Sequence, residues 1–217
     1  MYKRLLLLGD SQTQSGASPA GWVTALSSAH SRNLDISNRG LSGYNTHWVC
    51  EHLDALIPSD RQYDCAVVWF GCNDAVRAGE VQHVPLEEYR GNLVRIFLKL
   101  TGAGVLPRNI LILTPPTIDE KQCNITWPGS VDARCNARMR TYSDIALRVA
   151  SEHGCASHDL YQLFANNRDS ALFTDGLHLN SRGNELVADV VLGFLEGRIG
   201  KEHVFPDWKD IAFLKGT

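Results

Sequence analysis

Leu5-Leu6-Leu7-Leu8-Gly9-Asp10-Ser11-Gln12 is the stretch on which the fold turns. Four consecutive apolar residues fit a strand buried on both faces. The strand runs into a small polar turn, which delivers Ser11 to one end of a sheet. A Gly-Asp-Ser tripeptide alone is an ordinary turn, and a serine hydroxyl is a poor nucleophile without a base. Its meaning depends on whether the chain also supplies a base, an acid to orient that base, and donors for an oxyanion. The residues that qualify are Gly43, Asn73, Asp175 and His178.

Working outward, strand and helix alternate. Gln12 to Pro19 reads as a small-polar loop, and Trp22, Val23 and Leu26 predict a helix over about 20–30. Leu34-Asp35-Ile36-Ser37-Asn38 reads as a second strand, ending in Arg39-Gly40-Leu41-Ser42-Gly43. Val49, Leu53, Leu56 and Ile57 share one helical stripe that Pro58 stops. Cys65 to Phe70 is a third apolar strand, closing at Gly71-Cys72-Asn73-Asp74. The clearest helix follows, with Leu86, Leu93, Val94, Phe97 and Leu100 on one face at a period of about 3.6. Pro85, Glu87 and Glu88 suit its first turn.

Asn109 to Leu113 predicts a fourth strand. The segment from Thr114 to about Ser130, with Pro115, Pro116, Trp127 and Pro128, reads as a long loop of the kind that is functional or mobile. Met139, Tyr142, Ile145, Ala146 and Val149 mark a helix, Cys155 to Leu160 a short fifth strand, and Leu186 to Phe194 a last helix capped by Asn180 or Ser181. The series implies one α/β domain over 1–217, with a mainly parallel sheet and a core over about 3–197. The segment 198–217 carries Phe205, Pro206, Trp208 and Phe213, too aromatic for a free tail. Three places suit it: its own domain, the edge of the cleft, or a second subunit in a homodimer.

Composition narrows the partners. The chain has 217 residues, 44% hydrophobic and 21% charged, with a formal net charge of -3. No basic block favours nucleic acid. No run approaches a membrane span, and the N-terminus lacks the apolar length of a secretory signal, so the expected location is the cytoplasm. The six cysteines form no C-x-x-C pair, which argues against zinc or a redox motif. Asn124-Ile125-Thr126 matches a glycosylation acceptor, which an unexported chain would not use.

In an open parallel sheet, ligands bind beyond the carboxyl ends of the strands. Ser11 follows the first strand, Gly43 the second, Asn73 the third, and Asp175 and His178 the fifth. Neighbouring strands lie about 4.8 Å apart, so these loops can share a pocket. Each position also has a bland reading: a turn glycine, a turn or cap at Asn73-Asp74, a surface turn with a solvated histidine. Glu80 and His83 share the spacing of Asp175 and His178 but lie in a polar segment that reads as a solvated edge. His158, inside a strand, reads as structural. The ordered set of four carries the weight.

Gly9-Asp10-Ser11, Gly43, Gly71-x-Asn73-Asp74 and Asp175-x-x-His178 resemble the four blocks of the SGNH hydrolases, also called GDSL esterases and lipases. The match runs from Leu5 to Leu195. Asn38 to Thr46, Gln82 to Tyr89 and Thr114 to Glu120 are similar to the isoamyl acetate-hydrolysing esterase subgroup. Gln12 departs from the leucine of the family name at a position without a chemical role. Cys72 beside Asn73 is a second departure, one that would crowd the pocket or open it to oxidation.

The resemblance implies a three-layer flavodoxin-like fold, a five-stranded parallel sheet in the order 2-1-3-4-5, and neither metal nor organic cofactor. It implies Ser11 as nucleophile, His178 as base, Asp175 as the residue that orients it, and Ser11, Gly43 and Asn73 as oxyanion donors. Gly40 is the alternative donor to Gly43. The implied reaction is cleavage of a small, acetate-type ester with water. A sugar deacetylase or a lysophospholipase would use the same groups. Trp48, Trp127 and Trp208 are pocket walls or core residues. A flavodoxin-like binding module is the reading from another class, although the loop from Asp10 to Gly16 lacks the glycine spacing and lysine of a phosphate loop.

Overall fold

The computed structural model describes residues 1–127, 133–167 and 171–199, together with 208, 209 and 211. Five strands form one sheet: β1 (Lys3–Gly9), β2 (Leu34–Gly40), β3 (Cys65–Trp69), β4 (Ile110–Leu113) and β5 (Ala156–His158). They pair in the order β2-β1-β3-β4-β5, every pairing parallel. β1 is central, and Leu5 to Leu8 are each at most 1% exposed. Burying such a side chain stabilises a fold by about 1.5–3 kcal/mol, so this run anchors both faces at once.

Side chains alternate along each strand, and the core divides accordingly. Leu6, Leu8, Ala66, Val68, Ile110 and Ile112 meet one helical layer. That layer contains α3 (Thr46–Glu51), α4 (Leu53–Leu56), α5 (Leu86–Gly102) and α7 (Asn136–Glu152). Leu5, Leu7, Val67, Trp69, Leu111 and Leu113 meet the other, formed by α2 (Trp22–Ala29), α8 (Leu160–Asn166) and α9 (Ser181–Glu196). The result is the three-layer α/β arrangement.

Several local expectations are corrected. The polar run after β1 is not a loop: Ser11–Ser15 forms the short helix α1. Asp10 caps it, accepting from Gln12 N at 3.0 Å. The stripe from Val49 to Ile57 is split at His52 into α3 and α4. On α5 the buried face is Tyr89, Asn92, Leu93, Ile96 and Leu100, whereas Leu86 is 38% exposed. Tyr89 is fully buried, its hydroxyl donating to Phe70 O at 3.1 Å. The long segment after β4 contains a helix, α6 (Glu120–Thr126), capped by Asp119. α8 was not expected, although Leu160, Leu163 and Phe164 have helical spacing behind an Asp159 cap. Asn180 caps α9, accepting from Gly183 N at 3.0 Å. Pro128, Phe205, Pro206 and Phe213 lie outside the described residues, and Trp208 is exposed. Among the described residues, no helix is long and apolar enough to cross a membrane.

Candidate active site

Ser11 is the first residue of α1, directly beyond the carboxyl end of β1. A first helical residue has no intrahelical acceptor for its N–H, so this amide points away from the helix that follows. The Ser11 Oγ lies 2.9 Å from His178 Nε2, across 167 positions of sequence. His178 Nδ1 lies 2.6 Å from Asp175 Oδ2. An ionised carboxylate can only accept, so Nδ1 carries the proton and Nε2 is left free to accept from the serine.

Asp175 is held in its own turn. Its Oδ1 accepts from the backbone N–H of His178 at 2.7 Å and of Leu177 at 3.0 Å. Burial alone would push this carboxyl up. The His178 ring and these two amides outweigh it and hold the group below the usual carboxylate range.

Neighbouring elements brace the turn from two sides. Asp119 N donates to Gly176 O at 2.9 Å, and Thr126 Oγ1 donates to Asp175 O at 3.1 Å. Opposite, Gln12 Nε2 donates to Leu177 O at 2.7 Å, while Gln12 Oε1 accepts from Leu179 N at 3.4 Å. Gln12 therefore ties the serine helix to the histidine turn. Its sequence position had suggested no role at all. The Trp127 ring stands edge-on to the His178 imidazole, centroids 6.1 Å apart, which puts one of the three tryptophans beside this candidate site. Trp48 instead packs on Tyr44.

Gly43 and Asn73 come together on the other side. Asn73 Nδ2 donates to Tyr44 O at 2.9 Å, which leaves its second amide proton for another acceptor. Gly43 has φ +80°, a left-handed conformation that glycine adopts without strain. Among the described residues its N–H meets no acceptor. Gly40 differs: its N–H donates to the Asn38 side chain at 2.8 Å. Of the two glycines in this loop, Gly43 is the one with an amide to offer.

Two residues without a site role in the sequence reading hold this side in place. Gln82 Nε2 donates to Gly43 O at 2.6 Å. Arg134 Nη2 donates both to Asn73 Oδ1 at 3.2 Å and to Gln82 Oε1 at 3.1 Å. Their distance in sequence from Asn73 leaves no local signal.

Two buried carboxyls lie beneath. Asp10 is pushed up to about 7 by burial, against the Gln12 amide that it accepts. Asp74 is pushed up to about 6 by burial, against Thr46, whose backbone N–H and hydroxyl donate to its Oδ1. Cys72, expected to crowd the pocket, is buried in the core, where desolvation pushes its thiol up. Glu80 pairs with Arg77, and His83 Nδ1 lies 2.8 Å from Val76 O, so neither repeats the Asp175–His178 arrangement. His158 lies on β5, paired in register with Leu113. Among the described residues, no group of three or more His, Cys, Asp or Glu side chains could hold a metal ion. A cavity of about 710 Å³ borders Thr174 and Gly176, but neither Ser11 nor His178 lines it.

A hydroxyl, imidazole and carboxylate in series form an arrangement able to move a proton, and N–H groups left without acceptors are the kind that can hold an oxyanion. The family is established by comparison. Residues 7–186 match the GDSL-like Lipase/Acylhydrolase family. The chain is 34% identical over 226 residues to the human protein named isoamyl acetate-hydrolyzing esterase 1 homolog, covering 99% of this chain and 90% of that one. The fold is shared with the lipase/acylhydrolase of Enterococcus faecalis (TM-score 0.74, 22% identity, 93% of this chain and all of the other). It is shared too with the acetyl xylan esterase AlAXEase (TM-score 0.72, 22% identity, 88% and 98%). The chain belongs to the GDSL, or SGNH, family of lipases and acylhydrolases and is a carboxylic ester hydrolase.

Proposed function

We propose that this hydrolase cleaves small carboxylic esters with short, acetate-type acyl groups, through an acyl-enzyme on Ser11. The observation that carries the reading is the hydrogen-bonded series from Ser11 Oγ through His178 to Asp175 Oδ2, at 2.9 and 2.6 Å. Ser11 Oγ attacks the ester carbonyl as His178 Nε2 takes its proton. The carbonyl oxygen becomes an anion held by Ser11 N–H, Gly43 N–H and the second amide proton of Asn73. Collapse expels the alcohol, which leaves with the proton from Nε2. Water then repeats the sequence on the acyl-enzyme: His178 takes its proton, the carboxylic acid forms, and Ser11 recovers its own.

Preference for an acetate-type substrate rests on the similarity to proteins named as isoamyl acetate-hydrolysing. Residues 1–217 are read as one catalytic domain that needs only ester and water, in the cytoplasm.

A fluorophosphonate probe and a panel of p-nitrophenyl esters from two to twelve acyl carbons, about one step apart, test this. The expected result is labelling at Ser11, lost in Ser11→Ala, with kcat/KM highest for the shortest acyl groups. Labelling elsewhere refutes the site. A maximum at long chains, or with an acetylated sugar or a lysophospholipid far above every simple ester, refutes the substrate class.

A further inference from the structure

We infer that Arg134 is a positioning residue of the oxyanion site, acting through Asn73 and Gln82; the inference rests on the site reading above. One nitrogen, Nη2, donates to both side-chain carbonyls, at 3.2 and 3.1 Å. Each of those amides turns its other end toward the same loop: Asn73 Nδ2 to Tyr44 O and Gln82 Nε2 to Gly43 O. Gly43 and Tyr44 are adjacent, so the bonds close a ring from Arg134 through both amides to one stretch of backbone. The ring contains the Asn73 donor and the residue that supplies the Gly43 donor.

Two consequences follow for chemistry. An asparagine amide can flip, since its oxygen and nitrogen ends are nearly the same shape. A guanidinium has only donors, so it selects the orientation in which Oδ1 faces Arg134 and Nδ2 faces the site. A cation on Oδ1 also draws electron density from the amide, which makes the remaining N–H a stronger donor to a developing anion.

The segment carrying Arg134 is itself fastened to the Asn73 turn. Arg77 N donates to Ala133 O at 2.7 Å, and the Arg138 side chain bridges Ala133 O at 2.8 Å and Ala75 O at 3.0 Å. Burial raises Asp10 and the thiols of Cys72 and Cys123, and the Arg134 charge opposes that rise at each of them.

The test uses the full chain with p-nitrophenyl acetate as probe and compares Arg134→Met, Arg134→Lys, Asn73→Ala and the double variant Arg134→Met/Asn73→Ala. Arg134→Met is expected to lower kcat about 10- to 100-fold, below the 100- to 1000-fold of a direct donor, with KM within about threefold. Arg134→Lys should restore part of that, since an ammonium supplies charge and donors without the planar fork. The double variant should fall below Asn73→Ala by much less than the Arg134→Met factor, because only the path through Gln82 to Gly43 is left for Arg134 to act on.

Additive losses, or a raised KM with kcat intact, overturn the inference; the second outcome would make Arg134 a substrate contact. Should Arg134→Met fail to fold by thermal melting, Gln82→Met opens the same ring, and an unchanged kcat there is equally fatal. A wild-type chain that fluorophosphonate does not label at Ser11 overturns the site reading together with the inference. A labelled, active chain indifferent to Arg134→Met overturns the inference alone.

Discussion

Asp175→Asn is the most discriminating single exchange. It preserves volume and, through the remaining carbonyl oxygen, the acceptor for the His178 and Leu177 amides at 2.7 and 3.0 Å. The turn should therefore persist. What changes is the 2.6 Å contact with His178 Nδ1. An amide NH2 placed there can only donate, so Nδ1 must become the acceptor. The proton then moves to Nε2, the atom 2.9 Å from Ser11 Oγ. An imidazole protonated on that nitrogen cannot take the serine proton.

The same exchange in a serine–histidine–aspartate site lowers turnover about 10⁴-fold with geometry intact, or about 5.4 kcal/mol of lost transition-state stabilisation. Stability should suffer far less, by about 1–3 kcal/mol for one charge-assisted bond. The assay is kcat for p-nitrophenyl acetate, beside a urea unfolding curve for the same variant. A folded Asp175→Asn protein with turnover within about tenfold of wild type would refute the reasoning, because Asp175 would then not govern which nitrogen carries the proton.

Other outcomes follow from the same geometry. Asn73→Ala should lower kcat about 100- to 1000-fold while leaving KM nearly unchanged; the reverse pattern would place Asn73 in ground-state binding. Asp10 and Asp74 are raised to about 7 and about 6, so the native state holds protons that the unfolded chain releases. Their contribution is fully present below the unfolded carboxyl value of about 3.9 and is lost as pH rises through 6 and 7. Urea midpoints should therefore fall between about pH 4 and pH 7, less steeply in Asp10→Asn, which keeps the cap on Gln12; equal slopes would mean that Asp10 does not titrate there. Gly176→Ala should cost about 1–3 kcal/mol and slow turnover as well. Its φ is +93°, and an added Cβ would lie 2.5 Å from Cys123 N and 2.7 Å from Asp119 O, forcing the Asp175–His178 turn off α6. Unchanged stability and rate would show that this contact does not hold the turn.

Much of the architecture was legible along the chain because its causes are local. Four leucines with no polar interruption, closed by Gly9, fit a strand covered on both sides, and the repeated change of period from strand to helix defines an α/β sheet. The placement of Ser11, Gly43 and Asn73 beyond strand ends followed from that alternation, whereas α8 stands between β5 and the Asp175–His178 turn, which the sequence reading places directly after the fifth strand. Strand order came from likeness to a family, because register between distant strands leaves no mark in either one.

Where the sequence misled, a long-range contact had overridden a local pattern. The run from Ser11 to Ser15 is polar and short, a poor helix by itself, yet beyond the local Asp10 cap it is held by distant bonds, Gln12 to Leu177 O and Asn38 to Thr13 O. On α5 the spacing of Leu93 and Leu100 marked the buried face correctly, but Leu86 stays exposed and Tyr89, bonded to Phe70 O, takes the buried place at that end.

The sequence alone thus determined the kinds of group available and the sheet edge that each one reaches. Tertiary structure alone decided which of them touch: the 2.9 Å approach of Ser11 to His178, the Gln12 bridge to Leu177, and the Arg134 contacts with Asn73 and Gln82. The choice between Gly43 and Gly40 rests instead on a local bond, the Gly40 amide to the Asn38 side chain two residues earlier, which the sequence reading does not weigh. The physical reason is that composition and periodicity report what each residue does with its chain neighbours, whereas a hydrogen bond across 167 positions exists only once packing has fixed both partners.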